Sequence, residues 1–365
     1  MTPDLFSPLA LRDVTAPNRV MVSPMCQYSV EDRDGVPTDW HRVHLGSRAV
    51  GGAGVVMTEA TAVEPRGRIS PEDTGIWSAE QVAAWQSITD FVAEQGSIPA
   101  IQLAHAGRKA AKSRPRDGSV PLQPDAGGWE TIGPSVDPWP YDESAPPHHR
   151  MDHADIEDVI DAFRTGAENA LKAGFEVAEV HAAHGYLLHE FLSPVTNDRT
   201  DAYGGDFEGR TKLLREVIAA VRSVWPDGKP VFVRISATDW LDEQASWTLD
   251  QSVRLATRLS KDGVDLIDVS SGGIVPNSHP ENAGPGYQLP HAERIRTETP
   301  DSLRVGAVGA ITTPEQATQL IENGRADLAI IGREHLRDPQ FTLRAAATLD
   351  ALDRVAVPPQ YERAF

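Results

Sequence analysis

Eight short apolar runs recur along the chain, and each is followed by a helical pattern or by a loop and then a helix. They occupy residues 19–25, 54–63, 98–103, 175–181, 230–236, 265–270, 304–308 and 327–331. Their length is that of strands. An eightfold strand-then-helix repeat closes naturally into a (β/α)8 barrel. A doubly wound sheet is the alternative, but it would normally place a glycine-rich turn directly after the first strand. Here the first run ends in SPMCQY, so the barrel is the expected fold.

The helices are read between these runs at residues 41–51, 79–94, 153–173, 207–224, 247–260, 292–297, 314–323 and 340–352. Ser78 is placed to cap the second of them. Ile156, Ile160, Phe163 and Ala167 share one face of the third. Pro314 suits a first helical position and Gly324 a C-terminal cap. The first 18 residues, with Pro3, Pro8 and Pro17, read as a short ribbon capping the barrel. Regular patterning lapses only at 108–152, the long loop after the third strand. Its Trp129, Trp139 and Tyr141 favour a packed lid over disorder.

The length of 365 residues allows one large barrel or two ordinary domains, and the unbroken composition favours one domain over 1–365. No basic-then-apolar leader opens the chain, and no apolar run approaches the roughly 18 residues of a membrane span. The single cysteine, Cys26, excludes an intrachain disulfide framework and a multi-cysteine metal site. A cytoplasmic location is therefore expected. The net charge of −19 disfavours nonspecific binding to nucleic acid or an anionic membrane. With 6 Lys, 28 Arg and 53 Asp plus Glu, the composition fits either adaptation to high salt or a biased base composition.

Catalytic groups in a barrel belong at the C-terminal ends of strands. Those ends supply Cys26 and Tyr28, Glu59 and Ala60, Gln102 and His105, the set His181, His184 and Tyr186, then Arg234, Ser270 with Gly272 and Gly273, Gly309, and Gly332 with Arg333. Two imidazoles and a phenol within six residues can bind an anion and deliver a proton. Glu59, Glu179, Arg234 and Asp268 lie inside apolar strands, so they are expected to form a paired polar layer or to touch a cofactor. Glu179 and His181 share pleat parity and should both face the barrel interior. The turns VGAVGAITTPEQ and IIGREH put glycine after the last two strands, the usual phosphate position of such barrels.

Two other readings of the histidines are open. A zinc site would need a third ligand, and no HExxH pattern exists. Core histidines without chemistry are the other possibility. Cys26 is either a buried small hydrophobe or a sulfur against a cofactor, and no activating partner marks it as a nucleophile.

Taken in order, SPMCQYS at 23–29, the Gln102/His105 strand end, HAAHGYLLHEFLSPVTNDRTDAYGG at 181–205, VRIS at 233–236, VGAVGAIT at 305–312, ADLAIIGREHLRDP at 326–339 and the terminal QYERAF resemble the Old Yellow Enzyme family. The likeness is to its thermophilic-like bacterial branch. It implies a barrel holding noncovalent FMN, reduced by NADPH or NADH, that reduces alkenes conjugated to carbonyl or nitro groups. By the same resemblance, His181 and His184 bind the substrate oxygen and Tyr186 donates a proton. Tyr28 lines the substrate side and Cys26 sits near the flavin. Pro24, Met25, Ala60, Gln102 and Arg234 would contact the flavin, while Gly309, Gly332 and Arg333 would hold its phosphate. The resemblance also implies a homodimer or homotetramer in which Arg363 reaches the neighbouring active site, anchored by Tyr361 or Phe365. A relative acting mainly on quinones or nitro compounds is the near alternative, and a flavin-binding stress protein with incidental turnover the distant one.

Overall fold

In the computed structural model, which describes residues 3–276, 278, 280 and 283–364, eight parallel strands close into a barrel. These are β1 (Val20–Val22), β2 (Val55–Ala62), β3 (Ile98–Ala104), β4 (Val177–Ala182), β5 (Val231–Ser236), β6 (Leu266–Ser270), β7 (Arg304–Ala307) and β8 (Leu328–Ile331). Neighbours in space are neighbours in sequence, and β8 closes on β1 through Ala329 opposite Val20 and Ile331 opposite Val22. The expected (β/α)8 architecture is therefore present.

The strands are apolar along their whole length because both faces are buried. Alternate residues fall into two separate cores. Met21, Met57, Ala100, Val177, Phe232, Leu266 and Ile330 fill the barrel interior together with Leu9, Leu11 and Ala16. The last three come from a hairpin, Leu9–Leu11 with Val14–Ala16, and this is the ribbon expected at the N-terminus. Their partners on the outer face, such as Val22, Val56, Leu103, Val180 and Val233, pack against the surrounding helices. Each fully buried aliphatic or aromatic side chain contributes roughly 1.5–3 kcal/mol.

The helices are α1 (Asp39–Val50), α2 (Ala79–Glu94), α3 (His153–Lys172), α4 (Phe207–Val224), α5 (Leu249–Lys261), α6 (Leu289–Glu298), α7 (Pro314–Glu322) and α8 (Phe341–Thr348). Ser78 caps α2 by accepting from the Gln81 N–H, with Gln81 reaching back to the Ser78 N–H. Pro314 opens α7, and Gly324, at φ 67°, follows its end. Three boundaries move for local reasons. Trp247 lies outside α5, because Thr248 caps that helix and the buried indole donates to Ser252 Oγ at 2.7 Å. α6 begins three residues earlier than its apolar pattern suggests, with Pro290 inside its first turn. α8 stops at Thr348, and Asp350 takes φ 54° before a separate turn at Leu352–Arg354.

Two short helices, Leu187–Leu192 after β4 and Arg333–Arg337 after β8, were too brief to show a period in the sequence. The segment between β3 and α3 carries its own structure. Gly107–Lys109, Pro115–Asp117 and Pro124–Ala126 are single helical turns, and Thr131–Gly133 pairs in parallel with His148–Arg150. The Trp129 indole donates to Arg66 O at 2.9 Å and packs with Cys26, Tyr28 and Tyr186. The aromatic residues thus anchor a packed lid over the C-terminal mouth. At the other end of the chain, Pro359–Ala364 forms a 3-10 helix with Tyr361 and Arg363 exposed, and Phe365 lies outside the described residues.

Candidate active site

The polar residues of the strands meet in one layer. In the ladder, Gln102 on β3 stands opposite Glu179 on β4, and Arg234 on β5 stands between His181 on β4 and Asp268 on β6. Gln102 Nε2 donates to Glu179 Oε1 at 2.7 Å. Arg234 Nε lies 3.4 Å from Asp268 Oδ2, and its Nη1 reaches Ser23 Oγ at 3.4 Å. Burial, with Asp268 adding to it, pushes the Glu179 carboxyl up to about 8, against the pull of Arg234. Burial likewise raises Asp268 to about 6, again opposed by Arg234. The expected paired layer exists around Arg234. Glu59 is paired elsewhere, 2.9 Å from His41 Nε2, and it also accepts from the Gln27 N–H. It pins the loop after β1 to α1.

His181, His184 and Tyr186 leave the end of β4 together. The His181 ring centroid is 5.2 Å from that of His184 and 5.1 Å from that of Tyr186. His181 Nδ1 accepts from the Ala183 N–H at 3.3 Å, which leaves Nε2 as its N–H donor. His184 Nε2 is 2.7 Å from Ser270 Oγ, and the His184 N–H donates to Ser236 Oγ at 2.9 Å. Burial, then the Arg234 charge, holds both imidazoles well below their ordinary range, so they are neutral near pH 7. Burial also raises the Tyr186 phenol well above its ordinary range, with Cys26 and Asp73 adding to it, so it keeps its proton.

The local backbone is unusual. His184 takes φ 59° and Gly185 φ 70°, and they lie directly against Gly273. A Cβ on Gly185 would come within 2.1 Å of Gly273 O, so the two turns can meet only with glycine there. Lys109 ties them together by donating to His184 O at 2.7 Å and Gly273 O at 3.0 Å. Its ammonium also sits 5.1 Å from the Tyr186 ring and 4.4 Å from the Trp139 ring. Burial lowers Lys109 to about 7, with Lys112 adding to it.

A cavity of about 390 Å³ opens beside this layer, lined by Met25, Arg234, Ser270, Gly309, Gly332 and Arg333 among others. Gly309 has φ 139°, and a Cβ there would press on the Gln288 side chain at 3.2 Å. Both late glycine turns and both arginines thus belong to one cavity. Ala60 faces Gln102 across the β2–β3 ladder, next to a shift in register after Met57. Cys26 and Tyr28 lie with Ile69, Ala106, Trp129 and Tyr186 in an apolar wall. Burial, then Asp73 and Glu59, pushes the Cys26 thiol up, which is the opposite of an activated nucleophile. Cys26, then burial, does the same to the Tyr28 phenol. Arg363 is exposed and does not line the cavity. No group of three or more metal-binding side chains occurs among the described residues.

A sequence model of the NADH:flavin oxidoreductase / NADH oxidase family matches residues 4–351. The chain belongs to the Old Yellow Enzyme family. Membership makes it an oxidoreductase of the NADPH dehydrogenase type. The chain is 46% identical over 361 residues to an NADPH dehydrogenase of Geobacillus thermodenitrificans (strain NG80-2), covering 99% of this chain and 98% of the relative. It is 43% identical over 366 residues to one of Bacillus subtilis (strain 168), covering all of both chains. Among solved structures, an old yellow enzyme homologue from Zymomonas mobilis superposes with a TM-score of 0.77 at 26% identity, covering 98% of each chain. Morphinone reductase in complex with tetrahydroNAD gives 0.75 at 26%, covering 96% of this chain and 91% of that one.

Within this family member, several residues of the site carry no motif in the sequence. Lys109 was legible only as a lysine two residues past Gly107 in a chain with 6 of them. Asp73 and Gln288 are common residue types in loops, and only folding brings them to the mouth.

Proposed function

We propose that the chain is an ene-reductase that holds noncovalent FMN and uses NADPH or NADH to reduce alkenes conjugated to a carbonyl or nitro group. What carries the reading is the convergence of His181, His184 and Tyr186, the latter two rings within 5.2 Å of the His181 ring centre, on the mouth that also holds Arg234. FMN fits the residues present. Arg333 and the backbone of Gly309 and Gly332 offer an anion site in the 390 Å³ cavity. Arg234, whose Nε faces Asp268 while its side chain lines the cavity, and Gln102 offer donors to a polar ring edge. Pro24, Met25, Cys26 and Ala60 supply the wall at the ends of β1 and β2. Bound FMN supplies hydride chemistry that no side chain can provide.

The side chains do the rest. The neutral imidazoles of His181 and His184 hold the electron-withdrawing oxygen, which makes the distal alkene carbon electrophilic and stabilises the charge that forms there. Tyr186 stays protonated until an enolate-like carbon forms, and then transfers its proton to that carbon. Tyr28 and the lid tryptophans border the substrate. Chromatography of the chromophore released on denaturation tests the cofactor, with FMN expected; FAD or a colourless protein defeats the reading. Steady turnover of NADPH with 2-cyclohexenone, well above turnover with oxygen alone, tests the reaction.

The same reading makes 1–365 one cytoplasmic domain that assembles as a homodimer or a dimer of dimers. Support comes from large apolar side chains left exposed on α1: Trp40 at 56% and Val43 at 67%. Arg363 would then act at the partner's substrate entrance, with Tyr361 as an anchor.

A further inference from the structure

The small cavity beneath Tyr186 contains a second acid. Its volume is about 10 Å³, the room of one water, and it is lined by Ala60, Ile69, Asp73, His105, Ala106 and Tyr186 among others. Asp73 sits in the loop between β2 and α2 and is 2% exposed. Its Oδ2 accepts from the N–H groups of Ile69 at 2.7 Å and Ser70 at 3.3 Å. Its Oδ1 is buried without a hydrogen-bond partner among the described residues. A buried carboxyl oxygen left unpaired is costly, and protonation together with one bridging water removes that cost. His105 is unsuited to the same task. Its Nδ1 accepts from the Gly107 N–H at 3.0 Å, and its Nε2 is engaged with Glu64 Oε1 at 2.8 Å.

We propose that Asp73 is the proton reservoir that restores Tyr186 between turnovers, acting through a water held in the cavity they share. This rests on the donor role proposed for Tyr186. When Tyr186 gives its proton to the substrate carbon, its O–H bond breaks and a C–H bond forms, leaving a phenolate. The bridging water gives a proton to the phenolate and takes one from the Asp73 carboxyl, which becomes a carboxylate and is later reprotonated from bulk water. Asp73 is a positioning and relay residue, because it touches Tyr186 only through the cavity. The charge state supports the geometry: burial, then the Glu59 charge, pushes Asp73 up to about 8, so it carries a proton at pH 7. The titratable groups around it are Glu59 on β2, Arg68 in its own loop, Cys26 and Tyr28 after β1, Lys112 after β3, and Tyr186.

The test compares the first turnover of prereduced holoenzyme on 2-cyclohexenone with steady-state turnover. In Asp73→Asn the amide still accepts from Ile69 and Ser70, so a structural role is kept while the proton is lost. The ratio of steady-state to first-turnover rate is expected to fall by about tenfold, at the lower end of what acid–base groups contribute. In wild type that ratio declines as pH rises through about 8, because the donor must be protonated; in Asp73→Asn this limb disappears. Lys109 titrates near 7 and also faces Tyr186, so loss of the limb in the variant assigns it. In a Tyr186→Phe background, Asp73→Asn should add no further loss. A readout independent of turnover, and of whether the variant folds, is the infrared carboxyl stretch of wild-type protein labelled at aspartate. It should show a protonated aspartate at pH 7 that titrates near 8, apart from Asp268 near 6. An ionised Asp73 at pH 7, or an unchanged ratio in an active Asp73→Asn enzyme, overturns the relay alone. A wild type that reduces no enone overturns the reductase reading and the relay with it.

Discussion

His184 shows how a functional side chain can depend on backbone geometry that it does not itself provide. Its φ of 59° is sustained by Gly273 opposite and by the Lys109 clamp. His181→Ala and His184→Ala are expected to weaken binding of a phenol ligand and slow enone reduction, with flavin reduction by NADPH less affected; rapid mixing separates the two half-reactions. Tyr186→Phe should slow oxidation of prereduced enzyme by enone about 10²-fold, the usual scale for losing a placed acid. An unchanged oxidative rate would remove Tyr186 from the donor role. Arg234→Ala should loosen FMN by roughly tenfold or more, since a charged buried hydrogen bond is lost. The fold should survive, because Glu179 and Asp268 already have raised pKa values and can neutralise by taking protons once the cation is gone. Equilibrium dialysis of FMN against the variant, alongside its circular dichroism, checks both halves.

At the scale of elements, helix caps and contacts between helices can be probed by single substitutions. Ser78→Ala removes the acceptor for the Gln81 N–H and is expected to cost about 1 kcal/mol, seen as a lower urea midpoint with an unchanged slope. The contact between α1 and the short helix after β8 should respond to acid. Arg48 spans it, donating to His44 O and to His335 O. Burial, then Arg48, lowers His44 to about 3, and burial lowers His335 to about 4. Both are neutral when folded, while the unfolded chain takes up protons below its ordinary value of 6.5. Their contribution is therefore full above pH 6.5 and is lost as pH falls toward 4. A melting-temperature series across that window should show a shallower decline in His335→Gln; an equal decline would place the acid sensitivity elsewhere.

For the whole molecule, the tail decides whether the active site is complete in one chain. Pro359–Ala364 holds Arg363 exposed and away from the cavity lining, so a role at a substrate entrance would have to be at a neighbour's. Deleting Tyr361 to Phe365 should raise KM for enones before FMN is lost, and should weaken association. Sedimentation and kinetics on the same preparation check this. A wild-type monomer at micromolar concentration would end the shared-site proposal, and unchanged kinetics would remove Arg363 from it.

The sequence by itself determined the barrel, because strands buried on both faces must be apolar throughout and eight such runs alternate with amphipathic helices. It also singled out His181, His184 and Tyr186 as the candidate group of β4, since they are close along the chain. Gly309 was legible because its φ of 139° and the nearby Gln288 side chain disfavour a Cβ, whereas a Cβ on Gly332 would make only ordinary contacts, Ser23 at 3.7 Å. Tertiary structure decided the rest. That Glu59 pairs with His41 while Glu179 and Asp268 surround Arg234 depends on barrel register, which no local pattern encodes. That Lys109 clamps two turns and Asp73 shares a cavity with Tyr186 depends on loops from separate strands meeting at one mouth. Such long-range contacts leave no periodic trace in the residues that make them.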